Sequence, residues 1–410
     1  MTAIEAHARG TVGVLGDLLG LRVQRVGDPA ATHLALPNAE HPRFYVPLLS
    51  NRAASASCLA YNRLRPSGVA RRRSLVGWGL RSGVLQRLRG TPMVSEGAPA
   101  GTADEGLTLL ATLRARLGHP ELAVATSPRQ LDPWWTPTLQ LFEADGTPVG
   151  YAKVGWTALT NRQVNTETAL LRRIAADPPA GFSCPSVLDR FEWGGAVVSV
   201  TAPMPADVTR LADDAGPFGD VLTTVAELDG PLRREPFASS GGATALDELL
   251  GNPNPGVPDE AWDALGARWR RIHEAVGDVE VALGRWHGDW VPWNLARSGD
   301  RLWVWDWEYS GPRRPMWLDA VHWHYQRARI VEGADLPEAL AASRIRSAQL
   351  LDSLGVGADG NRVLATAHAL ELTLRSLDAV ASAAPGVQQA AAELSTLMDW
   401  AVSRAEGGPT

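Results

Sequence analysis

Asp289 and Asn294 stand five residues apart in His287–Gly288–Asp289–Trp290–Val291–Pro292–Trp293–Asn294, and Asp306 follows twelve residues later at the end of the apolar run Leu302–Trp305. Phosphoryl transfer from a nucleoside triphosphate needs one carboxylate to orient or deprotonate the attacking hydroxyl, and oxygen ligands to hold Mg²⁺ on the phosphates. Asp289 suits the first role; Asn294 and Asp306 suit the second. Taken singly the pieces are ordinary, since His-Gly-Asp makes a common turn and an Asp after a strand makes a common cap. Their joint spacing, downstream of a strand-rich stretch, gives the chemical reading its weight.

A second group lies upstream. Of the 39 basic residues every one is Arg except Lys153, in Tyr151–Ala152–Lys153–Val154. A solvated strand position would accept Arg as readily as the others did, whereas a compact ammonium fits a tight phosphate site that Arg's wide planar fork does not. Such a lysine is held by a carboxylate on the next helix, and Glu167, fourteen residues on, is placed for that.

The elements that must position these groups are legible as alternation and periodicity. Strands are expected at 122–126, 138–142 and 149–154, the last two joined by the turn Ala144–Asp145–Gly146, and again at 187–191 and 196–201. A helix is expected from Thr160 to about Ala176, stopped by Asp177–Pro178–Pro179. Beyond Pro203 and Pro205 the pattern turns helical, at 244–250, 259–276, 335–354, 361–382 and 387–405. Five strands with one inserted helix, then a helical half, is an α+β order with a natural cleft between the halves. Before it, 33–36 and 44–49 read as strands and 71–89 as a basic helix with Val76, Leu80, Val84 and Leu88 four apart, weakened by Gly77, Gly79 and Gly83; 94–104 reads as a linker. The expected division is an accessory region 1–118, a nucleotide-binding unit 119–204 and a helical unit 205–410.

Composition bounds the rest. A chain of 410 residues that is 45% hydrophobic can bury more than one core. Its two cysteines, Cys58 and Cys184, support neither a disulfide framework nor a cysteine zinc site. The start MTAIEAHARG has no basic-then-apolar leader and no apolar run is long enough to span a bilayer, so the expected compartment is the cytoplasm. The net charge of −6 hides an asymmetry, with thirteen Arg against five acids in 1–100 and fifteen acids against six Arg in 206–280.

At this point the motifs resemble those of the aminoglycoside phosphotransferase and choline kinase superfamily, whose fold is the bilobal, protein-kinase-like one. Residues 287–294 look like its H-G-D-x-x-x-x-N catalytic loop, Val304–Gly311 like its metal-binding I-D-W-E-x-x-G segment, and Asp319 in Trp317–Ala320 like the Asp that braces the loop. Lys153 and Glu167 match the family's strand lysine and helix glutamate. The resemblance covers roughly 120–330. It implies ATP or GTP and Mg²⁺, Asp289 as base, Asn294 and Asp306 as metal ligands, His287 and Asp319 as support of the loop, and a hinge in which Thr201, Pro203 and Met204 meet the nucleotide base. Three departures stand out: residues 127–135 read SPRQLDPWW where a glycine-rich phosphate loop is usual, Trp290, Val291 and Trp293 replace smaller residues, and Gly311 is followed by Pro312–Arg313.

The resemblance implies that the acceptor is a small molecule with a hydroxyl. The acids of 206–280 and ten Trp at 134–135 and between 286 and 323 suit a cationic aminosugar, polyamine or amino alcohol, and a neutral sugar fits almost as well. Trp303 and Trp305 are expected in packing, with Trp290, Trp293 and Trp307 open to either role. The 71–89 helix is expected to pack rather than to lie on an anionic membrane, and no motif supports nucleic-acid binding. A rival reading is a pseudokinase, a nucleotide-binding scaffold that does not turn over.

Overall fold

The computed structural model describes residues 3–23, 30–85, 91–95, 108–252, 259–382 and 387–408. These form two compact units, one of residues 1–175, 184–210 and 297–300 and the other of 176–183, 211–296 and 301–410.

The first unit begins with helix α1 (Ala3–Leu19) and a four-stranded sheet of β1 (Leu21–Val23), β2 (His33–Leu36), β3 (Phe44–Pro47) and β4 (Thr91–Ser95) in the order β1-β4-β2-β3. Helices α2 (Asn51–Leu59), α3 (Ser67–Arg81) and α4 (Leu109–Leu117) intervene before the main sheet. That sheet, of β5 (Ala123–Ala125), β6 (Thr138–Phe142), β7 (Pro148–Gly155), β9 (Val187–Trp193) and β10 (Ala196–Thr201), runs β5-β6-β7-β10-β9, antiparallel throughout; β8 (Phe182–Ser183) belongs to the second unit. The β6–β7 turn is closed by the Glu143 N–H to the Thr147 carbonyl at 2.9 Å. Helix α5 (Ala158–Ala176) follows β7 directly. Its start is fixed by Thr160 Oγ1 accepting from the Trp156 and Thr157 N–H groups and Thr157 Oγ1 accepting from Thr160 N–H, a reciprocal hydroxyl cap for orphan donors. Leu159, Val164, Glu167, Leu170, Leu171 and Ile174 make its buried face.

The region expected as a separate accessory segment shares hydrogen bonds and core with this sheet. Tyr45 and Thr126 exchange backbone bonds at 2.8 and 3.2 Å, and His33 Nε2 meets the Val124 carbonyl at 3.0 Å. Val14, Leu15, Leu109 and Leu113 enter the same core as Leu139, Val154 and Val198. The basic helix is shorter than its periodicity suggested. It spans Ser67–Arg81 and stops where Gly83 adopts φ +73°, a left-handed turn that glycine makes at no steric cost. Val76 and Leu80 pack inward as expected, Val84 lies beyond the turn and is exposed, and 86–89 fall outside the described residues. So does most of the expected linker, 96–104. Residues 127–135 form no strand; Trp135 anchors them in the core, with its ring 5.9 Å from that of Trp156.

The second unit is mainly helical: α6 (Gly219–Ala226), α7 (Gly241–Gly251), α8 (Asp259–Val276), α9 (Leu318–Gln326), α10 (Leu336–Ser353), α11 (Ala358–Ala381) and α12 (Gln388–Ala405). Trp262, Leu265, Trp269, Ile272 and Val276 form one stripe of α8 and meet Leu364, Leu370 and Leu377 of α11 and Met398 and Ala401 of α12 in a single core. A small antiparallel sheet of Arg233–Pro236, Glu280–Trp286 and Gly311–Pro315 carries the chain into the loop at 287. The strand Arg301–Val304, parallel to β8, carries it to Asp306. Among the described residues no helix is long and apolar enough to cross a membrane.

Candidate active site

In the first unit Lys153 lies on β7, paired across the sheet with Ser199 and Thr138. Its Nζ is 2.7 Å from Glu167 Oε2 on α5, with side chains 16% and 8% exposed. Glu167 is thus buried against its partner rather than solvated. Thr201 ends β10, and Pro203 and Met204 follow half-buried. One lone pair of the Met204 carbonyl is taken by Tyr61 Oη at 2.5 Å.

In the second unit the loop after Trp286 is held by its backbone. Asp319, at the start of α9 and 4% exposed, accepts the His287 N–H on Oδ2 at 2.6 Å and the Gly288 N–H on Oδ1 at 2.9 Å. Gly288 has φ +88°, and a Cβ there would sit 2.5 Å from the Tyr309 carbonyl oxygen, so no other residue fits this turn. His287 is fully buried, 4.3 Å ring to ring from Trp307. Its Nδ1 accepts the Asp289 N–H at 3.1 Å, which fixes the tautomer: Nε2 carries the proton and donates to the Trp305 carbonyl at 3.0 Å. Burial pushes this imidazole down to about 4, so it is neutral.

The Asp289 carboxylate is gripped on both oxygens. Asn294 Nδ2 donates to Oδ2 at 2.7 Å and to the Asp289 carbonyl at 3.1 Å, and His322 Nε2 lies 3.2 Å from Oδ1. His322 in turn meets His368 Nε2 through its Nδ1 at 3.1 Å. Burial lowers the pKa of both imidazoles, so a neutral His368 donates to His322 and a neutral His322 donates to Asp289. Arg375, two turns beyond His368 on α11, donates to the Gly288 carbonyl and stacks on the Tyr309 ring, 4.1 Å from its centroid. Burial alone would raise the Asp289 carboxyl. The His322 hydrogen bond and the neighbouring positive charge of Arg375 outweigh it, and the carboxyl stands below its ordinary range. Asp289 keeps 22% of its side chain exposed, so further lone pairs can meet a hydroxyl.

Because Asn294 spends Nδ2 on Asp289, its Oδ1 is left for a cation. Asp306, next to Trp305, is drawn to the same loop by the Trp305 N–H to the Asn294 carbonyl at 3.2 Å. It sits at φ +63°, a left-handed conformation that Asp tolerates better than most residues. An amide oxygen and a carboxylate are hard donors of the kind Mg²⁺ takes, with water and phosphate completing its shell; among the described residues no cluster of three His, Cys, Asp or Glu offers an all-protein cage. The donor set fits a metal that arrives on a nucleotide.

The sequence pointed to His287, Asp289, Asn294, Asp306 and Asp319, and the fold gathers all five around one loop. It did not point to His322, His368 and Arg375. The available signals were His322 three residues after Asp319, on one face of a helix, and His368 and Arg375 two turns apart on one helix. The Trp assignments need correction. Trp303 and Trp305 are half-buried because their strand turns Leu302 and Val304 inward, while Trp290 and Trp307 are completely buried and Trp293 is 39% exposed. Part of the acidity of 206–280 is spent internally: Asp229 pairs with Arg285 and Glu235 with Arg313, each at 2.9 Å, and Asp247 accepts the Trp269 indole N–H at 2.6 Å.

The solved structures this chain resembles are aminoglycoside phosphotransferases and choline kinases. Aminoglycoside phosphotransferase APH(4)-Ia, in ternary complex with ADP and hygromycin B, aligns with TM-score 0.49 and 13% identity over 73% of this chain and 98% of its own. A choline/ethanolamine kinase family protein from Mesorhizobium loti aligns with TM-score 0.37 and 16% identity over 67% and 90%, and a choline kinase from Cryptosporidium parvum with TM-score 0.40 and 11% identity over 70% and 90%. No family model and no curated protein matches the chain.

Proposed function

We propose that this chain is a nucleotide- and Mg²⁺-dependent phosphotransferase that moves the γ-phosphoryl group of ATP or GTP to a hydroxyl of a sugar, aminosugar or amino alcohol. The observation that carries the reading is the Asp289 carboxylate, fixed by Asn294 on one oxygen and His322 on the other, in a loop whose backbone Asp319 holds. Phosphoryl transfer asks little covalent chemistry of the protein and much positioning. A carboxyl below its ordinary range is ionised at neutral pH and a weak base, so its work is to orient the acceptor hydroxyl and to take the proton as the new O–P bond forms. Asn294 Oδ1 and Asp306 are the residues that would hold Mg²⁺, which when bound neutralises phosphate charge. Lys153, kept in place by Glu167, is the cation for the nucleotide phosphates, and Thr201, Pro203 and Met204 are the hinge positions for its base.

One observation favours the scaffold reading instead. Residues 127–135 are anchored by buried Trp135 where a glycine-rich loop would cover phosphates. The two readings part on turnover. Mg²⁺-dependent nucleotide consumption is measured for wild type and Asp289→Asn against a panel of aminosugars, sugars, amino alcohols and nucleosides. Acceptor-stimulated consumption lost in the variant is expected; nucleotide binding without turnover across the panel would make the chain a scaffold. Cationic and neutral acceptors of equal size in the same panel decide whether positive charge is read.

A further inference from the structure

Helix α3 (Ser67–Arg81) has two faces of different kinds. The inner one is fixed to the first unit: Leu80 is buried, Arg73 donates to the Ser57 and Cys58 carbonyls at 3.1 Å each, and Asn62 Nδ2 donates to the Ala70 carbonyl at 2.8 Å and to Ser74 Oγ at 3.0 Å. The outer one carries Arg71, Leu75 and Trp78, four and then three residues apart and so in line along the helix. Leu75 is 74% exposed and Trp78 67%, which makes two neighbours the most exposed large apolar side chains among the described residues. Apolar residues scattered singly on a surface are ordinary; an adjacent pair on a helix held from behind is a patch.

The charge around that pair is of one sign. Residues 41–95 contain ten arginines and no aspartate or glutamate, so no arginine of α3 has an acidic neighbour on its own helix. Arg71 and Arg72 precede Leu75 on the exposed side, Arg81 follows Trp78, and Arg63 lies exposed just before the helix. Apolar tips ringed by guanidinium groups suit a surface that is negative outside and apolar just beneath. We propose that the outer face of α3 seats the protein on an anionic lipid bilayer, with Leu75 and Trp78 entering the headgroup layer and Arg71, Arg72 and Arg81 on the lipid anions. Binding of that kind grows with the apolar area inserted and with the attraction of basic residues to anionic lipid, and an indole favours the depth where water gives way to hydrocarbon. The ridge of one helix is convex and offers a peptide no groove, nucleic-acid phosphates would leave Leu75 in water, and a second copy would bring arginine against arginine. The chain as a whole carries a net charge of −6. At physiological salt charges act over about 8 Å, so an anionic surface is approached with this face forward.

The test is co-sedimentation of the full chain with vesicles of phosphatidylcholine alone and of equimolar phosphatidylcholine and phosphatidylserine. Wild type is expected to sediment with the second and not with the first, and added salt to weaken that binding. Arg71→Gln with Arg72→Gln should weaken it about thirtyfold, at about fivefold for each arginine near the surface, and Leu75→Ser with Trp78→Ser about tenfold or more. Both pairs are exposed; circular dichroism checks each fold, and either pair tests the proposal should the other fail to fold. Equal binding to both vesicles, binding to the charged mixture that is indifferent to Leu75 and Trp78, or no binding to either overturns the proposal. In the last case self-association abolished by Leu75→Ser with Trp78→Ser gives the face to a second copy, retention on immobilised polyglutamate gives it to an acidic protein, and retention on duplex DNA gives it to nucleic acid.

Discussion

Replacing Asp319 by Asn removes one charge and one acceptor from a place where both oxygens are in use. Asp319 takes the His287 N–H at 2.6 Å and the Gly288 N–H at 2.9 Å. An amide can accept only one of them and turns its NH₂ on the other. A buried donor left facing a donor costs about 1–3 kcal/mol, which for a unit of this size lowers Tm by about 2–4 °C per kcal/mol. The pH dependence of that cost has a definite sign. Burial, only partly offset by the two N–H bonds, pushes the Asp319 carboxyl from 3.8 up to about 7. The folded state therefore holds a proton that the unfolded state has lost throughout that window. Stability from this group is full below about pH 4 and lost as pH rises to 7. Asn cannot gain it, so the deficit of Asp319→Asn relative to wild type should widen by about 1.4 kcal/mol per pH unit on acidification from 7 toward 4. The wild-type curve alone would hide this, because His33, His287 and His324, each pushed down to about 4 by burial, raise stability with pH from about 4 to 6.5. Both proteins carry those histidines, so the difference between their urea unfolding free energies isolates Asp319. A difference that narrows on acidification, or a variant as stable as wild type at pH 7, refutes the argument.

Three further outcomes follow from the same contacts. Lys153→Met takes the ammonium from the buried Glu167 carboxylate and should cost about 3–5 kcal/mol in urea unfolding; adding Glu167→Leu should recover most of that stability and none of the nucleotide affinity. In His322→Leu the Asp289 carboxyl loses its Oδ1 donor, burial then dominates, and the acid limb of a pH–activity profile should move upward, an effect that His322→Gln, which keeps an N–H donor, should soften; an unmoved limb in both would remove His322 from the site. Gly288→Ala, with its methyl driven against the Tyr309 carbonyl, should lose more than about 1 kcal/mol and acceptor-dependent turnover together, as read by thermal unfolding and nucleotide consumption.

How much of this could be read beforehand depended on the range of the interaction. The β6–β7 hairpin and its turn, α5 with its cap and proline stop, and the loop from His287 to Asn294 rest on neighbours in sequence, and their boundaries agreed within about two residues. Lys153 stood out through composition, as the one lysine among many arginines, and its helix partner lay fourteen residues away. The end of α3 was missed because Val84 and Leu88 continued a helical stripe. There the left-handed turn at Gly83 prevailed over the period, and glycine content alone does not say which glycine will take a positive φ. The packing expected of Trp303 and Trp305 is only partial for a related reason. Alternation says that a strand has two faces but not which face meets the core, and here the aliphatic residues of Arg301–Val304 took the inside.

The link from His368 through His322 to Asp289 was beyond the reach of spacing, and its physics explains why. Each histidine lies on a helix whose periodicity is that of a packed core, so each reads as a core histidine satisfied by its surroundings. What makes them functional candidates is that burial keeps both neutral, and a neutral imidazole accepts on one nitrogen and donates on the other. A chain of two such rings can therefore point only one way once its last member faces a carboxylate: His322 must present Nε2–H to Asp289, and His368 must supply the proton that fixes this tautomer. With the His287 tautomer set by the Asp289 N–H and the loop backbone held by Asp319 and Arg375, each polar group around Asp289 is oriented by a neighbour. A carboxylate held in that way suits a reaction in which placement of a hydroxyl matters more than basicity, so His368→Leu, which touches no part of Asp289, should still lower turnover while leaving nucleotide affinity unchanged.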